Sequence, residues 1–538
     1  MGSFCYFGLV AVTTDSAVAQ GLGGSGEDAP ELVATLWERR LILIAMCVAL
    51  MAVISSVSGL NVAQQALAVD LDASQSQLLW VINGYTLALA ALLMPIGAIG
   101  DRWGRKLILM LGLIGFASAS IASAFASSPE VLIGLRVAAG VAAAMIMPVT
   151  LSVITTTFPP EERGKAVGIW AGVAGAGGII GLFVSAAIID NATWPWVFAF
   201  PAALALGSFA LTWAAVPQSR EHSEARFDVL GSVLSAAAVG GLVLGVQEGP
   251  ERGWSHPAAA LGMTVAVVGV VLFVIVEMRR DHPLLDVRLF RHRGLATGSV
   301  NLFVAFAVIF AIFLILVQLL QAVFGYTALR AASGLLPMAA VMMPLSAVAP
   351  ALAARFGYRQ VSTFGMILLA AGTGTLAVFA DLNRGYWSVL PGILLLGSGL
   401  GLSMSPATEA ITSSLPADKQ GVASALNDTV REIGGAVGIA LIASVLNAQY
   451  RSNVSAATDS LPPELAERVE EGIGGALQTA AQLGPDGAGL LDAARQAWLD
   501  GMRPALWLGA GLALAAAVYT GLSGVQRVAS TDHDGFQS

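Results

Sequence analysis

The chain reads as an all-α polytopic membrane protein, and three observations say so. About fourteen stretches are apolar for roughly 20 residues each, the length that carries a helix across the hydrocarbon core of a bilayer. Of the 538 residues, 56% are hydrophobic and 12% charged, about half the charged share of a soluble domain. A few ionisable residues stand inside the apolar stretches instead of between them. A charge persists in lipid mainly where it pairs, lines a cavity or moves an ion, so these residues are the first functional candidates.

The stretches are 41–67, 77–100, 107–126, 131–157, 164–189, 196–216, 227–247, 258–278, 295–321, 331–354, 360–380, 386–415, 421–449 and 503–525. An even number returns both termini to one side, and the basic residues choose the side. With a cytoplasmic N-terminus, the inner segments gather Arg39, Arg40, Arg102, Arg105, Lys106, Arg163, Lys165, Arg279, Arg280, Arg288, Arg291 and Arg293, among others. The short outer loops then hold only Arg252, Arg330 and Arg384. A multi-pass cell-membrane protein with both termini cytoplasmic is expected. Residues 1–38 carry one short apolar run, Phe4 to Val12, with no basic residue ahead of it. They read as a mobile cytoplasmic tail and not as a cleaved signal peptide; residues 528–538 form a second tail. In the long outer segment 450–502, apolar and charged residues recur at helical spacing after Pro462-Pro463. One or two amphipathic helices are predicted there, as a cap over the outer mouth or as a gate or partner surface.

Several function classes fall away. The net charge of −8 is spread over loops, so nucleic acid is not an expected partner. Cys5 and Cys47 supply neither a disulfide framework nor a thiol metal site, and the five histidines lie between apolar runs or in the tail. No G-x-x-x-x-G-K-[ST] loop occurs, so direct drive by ATP is not expected. An enzyme would want His, Asp or Ser converging at one membrane depth, and the sequence offers no such set.

Two segments echo each other. Pro148 and Thr150 match Pro406 and Thr408; after a one-residue slip, Pro159, Gly164, Gly177 and Gly181 match Pro416, Gly421, Gly434 and Gly438. Each copy is one helix, a short inner loop and the start of the next helix. A weaker echo pairs Asp101-Arg-Trp-Gly-Arg-Lys with Ala354-Arg-Phe-Gly-Tyr-Arg. Repeated halves are how many transporters build a central site that opens to each side in turn. The repeat leaves two extra helices, about 227–278, between six-helix halves. The expected domains are therefore 39–220, a linker pair within 221–280, and 281–527. The copies also differ: Leu151 becomes Glu409, and Ala171, Ala174 and Gly175 become Asp428, Arg431 and Glu432.

The run from Gly97 through Asp101, Arg102, Gly104, Arg105 and Lys106 resembles the loop signature of the major facilitator superfamily, G-x-L-x-D-R-x-G-R-[KR], with Ile99 at the usual Leu. Gly97 lets a neighbouring helix approach closely. Asp101 can pair with guanidinium groups and accept from another helix's N-terminus. Such a cluster can hold the inner side shut. Leu132-x-x-x-Arg136-x-x-Ala139-Gly140 is similar to a second pattern of that family, L-x-x-x-R-x-x-Q-G. Its Arg stays charged at any ordinary pH and can fix a carboxylate's charge or orient water; an Arg snorkelling to the outer surface is the structural alternative. Gly168 to Ser185 resembles the antiporter signature poorly, with Leu182 at the expected Pro; Gly140, Gly177, Gly181, Gly434 and Gly438 are read as helix-packing positions.

Ser55 to Gln65 resembles the first-helix pattern of fourteen-helix drug:proton antiporters. Asn61-Val-Ala63 is kept, Ser56 replaces the acid and Gln65 the proline. An acid there would attract cationic drugs, so its replacement argues against dications as the main substrate. Leu79-Trp80 through Tyr85 fits the next segment of that family. Asn61, Trp80 and Tyr85 are read as substrate-cavity residues, with membrane-interface anchoring the alternative for the two aromatics. The resemblance spans residues 40–450 and the last stretch. It implies the major facilitator fold and is nearest to actinomycete antibiotic self-resistance exporters.

Glu409, Asp428 and Glu432 are the candidate proton carriers, with Arg431 and Arg136 as their cationic partners. Asp428 and Glu432 are i,i+4 and Arg431 lies between them, near one helix face. Burial favours the neutral carboxyl and a guanidinium the ionised one, so such a group can change charge in use; a static Asp–Arg–Glu lock is the alternative. The reading is a proton-gradient-driven exporter of amphipathic aromatic compounds, such as antibiotics, through a large and mostly apolar cavity. A monomer with small molecule, protons and lipid as its partners is expected. A biocide-cation exporter, a small-nutrient importer of the same fold and a membrane enzyme are the alternatives, in that order.

Overall fold

The computed structural model describes residues 36–73, 75–217, 227–416, 419–459 and 461–525. Most of the expected N-terminal tail, the C-terminal tail and the side chains of Asn61 and Gln65 lie outside the described residues. Every regular element described is a helix, and fourteen of the helices are long and apolar enough to cross a membrane.

The first half comprises α1 (Leu36–Asp70), α2 (Gln75–Trp103), α3 (Arg105–Ser123), α4 (Pro129–Thr157), α5 (Pro160–Asn191) and α6 (Pro195–Ala215). A pair follows, α7 (Val229–Arg252) and α8 (Pro257–Glu277). The second half comprises α9 (Arg293–Gln318), α10 (Ala328–Phe356), α11 (Tyr358–Phe379), α12 (Tyr386–Thr412), α13 (Gln420–Thr458) and, after the short α14 (Pro463–Glu471) and α15 (Ile473–Leu483), α16 (Ala488–Ser523). Proline at the first turn starts α4, α5, α6 and α8, where its fixed φ fits and its missing N–H costs nothing. Ser128 caps α4 by accepting from the Val131 amide.

The two halves pack by one plan. In the first, α1 lies on α5 and α6, α2 on α4, and α3 on α4 and α6; in the second, α9 lies on α13 and α16, α10 on α12, and α11 on α12 and α16. The weaker sequence echo has a backbone counterpart. Gly104 between α2 and α3 and Gly357 between α10 and α11 both hold positive φ, 108° and 98°, a left-handed corner that favours glycine. The halves meet where α2 lies on α13 and α5 on α10. The α7–α8 pair rests through α7 against both α2 and α13. All the loops rich in Arg and Lys, with the start of α1 and the end of α16, lie on one side, here termed the basic face.

One boundary differs from the sequence reading. Spans predicted to end at 449 and begin at 503 belong to helices of 39 and 36 residues that continue past those limits. A 39-residue helix is roughly 58 Å long, about twice the hydrocarbon thickness. The apolar run ends at the membrane, but burial does not: Tyr450, Val454, Ala494 and Trp498 are all buried beyond it. α14 and α15 dock on these projections through Val469, Ile473 and Ala476, and the Tyr450 hydroxyl donates to the Val469 carbonyl at 3.0 Å. The predicted outer helices are therefore a hairpin seated on the second half.

Candidate functional site: a latch at the basic face and a buried acidic patch

The latch begins with missing side chains. A Cβ added at Gly97 would lie 2.6 Å from both the Gly421 carbonyl oxygen and the Ala425 Cβ, so α2 and α13 touch backbone to backbone. That approach brings Asp101 onto the first turn of α13. The Gly421 amide donates to both carboxylate oxygens at 2.8 Å, and the Val422 amide donates to Oδ2 at 3.2 Å. Arg105 donates through Nη2 to Oδ1 at 2.7 Å. Asp101 and Arg105 are both buried. One carboxylate thus satisfies orphan amides and the positive end of a helix from the opposite half. Lys106 donates to the Trp213 carbonyl at 3.0 Å, fixing the corner to α6, and Arg102 is exposed.

The second seam is built differently. Pro350 packs on Gly164, the Ser346 hydroxyl donates to the Gly168 carbonyl at 2.9 Å, and Met342 and Met343 pack along Gly172 and Gly175. Glu409 stands at this seam, near the inner end of α12. Its carboxylate oxygens lie 3.5 and 3.6 Å from the Cβ position of Gly164, and it is within electrostatic reach of Arg163. The structure therefore separates Glu409 from the other two acids. It sits at the basic end of its helix, whereas Asp428 and Glu432 lie two and three turns into α13.

Asp428 is fully buried and pairs with Arg431 at 3.0 Å. Asn427 also donates to its Oδ1, at 3.3 Å. The Arg431 guanidinium lies 4.5 Å from the Phe306 ring centroid and 5.5 Å from that of Trp170. Asp428 Oδ2, Arg431 Nε and Asn427 Oδ1 are buried without a partner, so the pair is incompletely satisfied. Glu432 differs. It is half-buried, and among the described residues it carries no hydrogen bond or ion pair. It lies within electrostatic reach of Arg431, Asp428 and Tyr85.

Arg136 is buried, so the snorkelling alternative is excluded. It donates to the Ser56 hydroxyl at 2.8 Å and to the Val81 carbonyl at 3.2 Å, and sits 4.2 Å over the Tyr85 ring. Neutral oxygens and a ring face hold this cation; Ser56, at the position expected to be acidic, is one of its partners. Tyr85 needs correction as a cavity residue. It is fully buried, its hydroxyl donates to the Val53 carbonyl at 3.2 Å, and it presents no surface to a ligand here. The cause is Gly140, which lets α4 close directly on the Tyr85 carbonyl. Trp80 is half-buried. Gly177 and Gly181 pack on Met51, Ile54 and Ser55 of α1, and Gly434 and Gly438 pack on Phe303 and Ala307 of α9, the same contact in each half.

Trp170, Phe306, Arg163 and Ser346 were not singled out from the sequence. Trp170 had a signal: it is the one tryptophan in the glycine-rich part of α5, and its indole donates to Thr150 at 3.1 Å, a position the repeat had marked. The other three look like ordinary lipid-facing or loop residues until the halves are brought together.

The profile of the Major Facilitator Superfamily matches residues 44–439. The multidrug efflux pump LfrA of Mycolicibacterium smegmatis is 34% identical over 90% of this chain and 95% of its own. The tetracenomycin C resistance and export protein of Streptomyces glaucescens is 31% identical, with 82% of each covered. The methyl viologen resistance protein SmvA of Salmonella typhimurium is 30% identical over 86% of this chain and 94% of its own. Among solved structures, the human organic anion transporter MFSD10 superposes with a TM-score of 0.59 at 13% identity, over 90% of this chain and 99% of that one. An inward-facing bacterial homolog of the lysosomal transporter Spinster gives 0.58 at 16% identity, over 91% and 98%. With a repeated helical plan, a latch built on the loop signature and a profile match over most of its length, the chain belongs to the major facilitator superfamily.

Proposed function

We propose that this protein is a proton-driven exporter of amphipathic small molecules, antibiotics among them, working by alternating access in the cell membrane. The basic face is cytoplasmic and both termini lie there, as the positive-inside rule requires. The domains are those expected from the sequence, and no bound cofactor takes part; the proton gradient is the energy source. The observation that carries the reading is the contrast within α13. Asp428 is spent on Arg431, while Glu432, one turn deeper, is an acid with no hydrogen bond or ion pair among the described residues. A carboxyl left unpaired at membrane depth is a group able to take and release a proton.

Protonation of Glu432 from outside and binding of substrate exclude each other at the face of α13 that carries Glu432. The Asp101 latch stabilises the conformation closed to the cytoplasm, and release of the proton inward is coupled to its opening. The similarity to LfrA and to the tetracenomycin C exporter supports export over import. The similarity to SmvA supports a second reading, that organic cations such as a viologen are substrates. The test is pH-gradient-driven efflux of a fluorescent amphipathic dye from right-side-out vesicles. Wild type expels the dye under an inward proton gradient. Glu432→Gln retains dye binding but loses the gradient response. If Glu409→Gln, Asp428→Asn and Glu432→Gln all keep wild-type coupling, the carrier lies elsewhere.

A further inference from the structure

At the basic end of the α7–α8 pair, two acids face each other away from water. Asp228 caps α7, its Oδ1 accepting from the Gly231 amide at 2.8 Å and forming an ion pair with Arg280 Nη1 at 3.2 Å. Glu277 ends α8, its Oε2 accepting from the Leu285 amide at 3.0 Å. Both are buried, at 5% and 2% exposure. Their remaining oxygens, Asp228 Oδ2 and Glu277 Oε1, have no donor. These two oxygens converge over Gly231, where an added Cβ would meet both, and the two side chains are within hydrogen-bonding reach of each other.

Two carboxylates that touch in a buried site do not both stay ionised. The charged groups in reach of Glu277 are Asp228 and Arg280. Arg288 is turned to the Met278 carbonyl at 2.9 Å, and Lys419, at the start of α13, to the Pro283 carbonyl at 2.9 Å. Arg102 lies at the basic end of α2, which packs along α7. Among the described residues Arg280 is the one cation on the pair, and with it a single added proton makes the cluster neutral and gives the two orphaned oxygens the donor they lack.

We propose that Asp228 and Glu277 bind one proton between them as an acid–carboxylate pair, and that this proton fixes the 281–286 segment against the start of α13. The mechanical path is short. Glu277 holds the Leu285 amide, Lys419 holds the Pro283 carbonyl, and two residues beyond Lys419 the Gly421 amide is held by Asp101. Loss of the proton leaves two like charges in contact, drives Glu277 out of its pocket and frees the segment that abuts the latch. The site is separate from Glu432, and its existence does not depend on the export reading.

The test uses the full-length protein in lipid nanodiscs. In infrared spectra at neutral pH, wild type shows a protonated-carboxyl band that Glu277→Gln and Asp228→Asn each diminish and Glu432→Gln leaves in place. In hydrogen–deuterium exchange corrected for intrinsic rate, Leu285 in wild type loses about tenfold protection as pH rises from near neutral into the alkaline range, the size of a hydrogen bond to a charged acceptor. Glu277→Gln, which supplies its own donor and keeps an acceptor, holds Leu285 protected at every pH. No carboxyl difference between wild type and Glu277→Gln, or wild-type protection independent of pH, overturns the proposal. Protection that follows added Ca²⁺ or Mg²⁺ instead of pH also overturns it, since a metal ion and not a proton would then bridge the acids.

Discussion

The two seams between the halves occupy equivalent places in the repeat yet hold by different physics. Where α2 meets α13, glycines bring the backbones together and Asp101 reaches across to the amides of Gly421 and Val422. Where α10 meets α5, the residue matching Asp101 is Ala354, which carries no carboxylate, and Pro350 packs on Gly164, the match of Gly421. Even the corner residues diverge. Arg105 pairs with Asp101, whereas Tyr358 receives a bond from Asn301 of its own half at 3.3 Å. One seam is a charge-assisted catch that either engages or does not. The other, apart from Glu409 and Arg163 near its inner end, is among the described residues an apolar surface with one hydroxyl bond, suited to sliding. A rocking machine needs one of each: a contact that defines the closed state and a bearing that survives the motion.

Four substitutions would break or sharpen this contrast. The largest effect is expected from Gly421→Val, because a Cβ there collides with the Gly97 carbonyl and the Asp101 carboxylate. Neither can yield as a flexible side chain would. Dye efflux should fall by more than about tenfold, with cysteine labels at the basic face becoming reactive, because an overpacking cost of about 1–3 kcal/mol adds to the loss of the charged Asp101 bonds, about 1.5–3 kcal/mol each. Next is Asp428→Asn, which leaves the Arg431 cation buried and unpaired. Breaking such a pair costs about 3–5 kcal/mol, so the melting temperature in detergent should drop well below that of Glu432→Gln, which has no partner to lose and should melt near wild type. The latch itself is the third. Asp101→Asn keeps a neutral acceptor for the Gly421 and Val422 amides and loses only the charge-assisted share of those bonds, about 1 kcal/mol each, and should shift the population toward the conformation open at the basic face. Adding Ala354→Asp should fail to restore closure, since Pro350 already packs on Gly164, the residue that matches Gly421. Ser346→Ala is the smallest. It removes one neutral bond at the sliding seam, about 1 kcal/mol, and should slow efflux less than threefold while leaving pH dependence unchanged.

Much of this was legible in the sequence because long apolar runs and proline starts leave little freedom in where helices lie. The latch was legible in part: an acid at a helix end beside two basic residues has few roles, but only the packing of α2 on α13 shows that Gly421 is its partner. What stayed hidden depends on which faces meet. The helices are apolar on nearly every side, so periodicity does not distinguish lipid from neighbour. That is why Glu409 was grouped with Asp428 although it lies at the other seam, and why Tyr85 was read as a cavity wall when Gly140 buries it. Asp228 and Glu277 each resemble an ordinary loop acid in the sequence. Their meeting follows only from α7 and α8 lying side by side with Gly231 between them.

Among the described residues the hairpin of α14 and α15 docks chiefly on α13, α16 and the turn that follows α9. It is thus a flag planted on one lobe, beyond the apolar stretches of α13 and α16. A fluorophore on exposed Glu467 paired with one on exposed Phe125 would register each stroke as a change in separation, with no probe placed in the transport path. An antibody fragment gripping that hairpin alone would add bulk for electron microscopy without choosing a conformation.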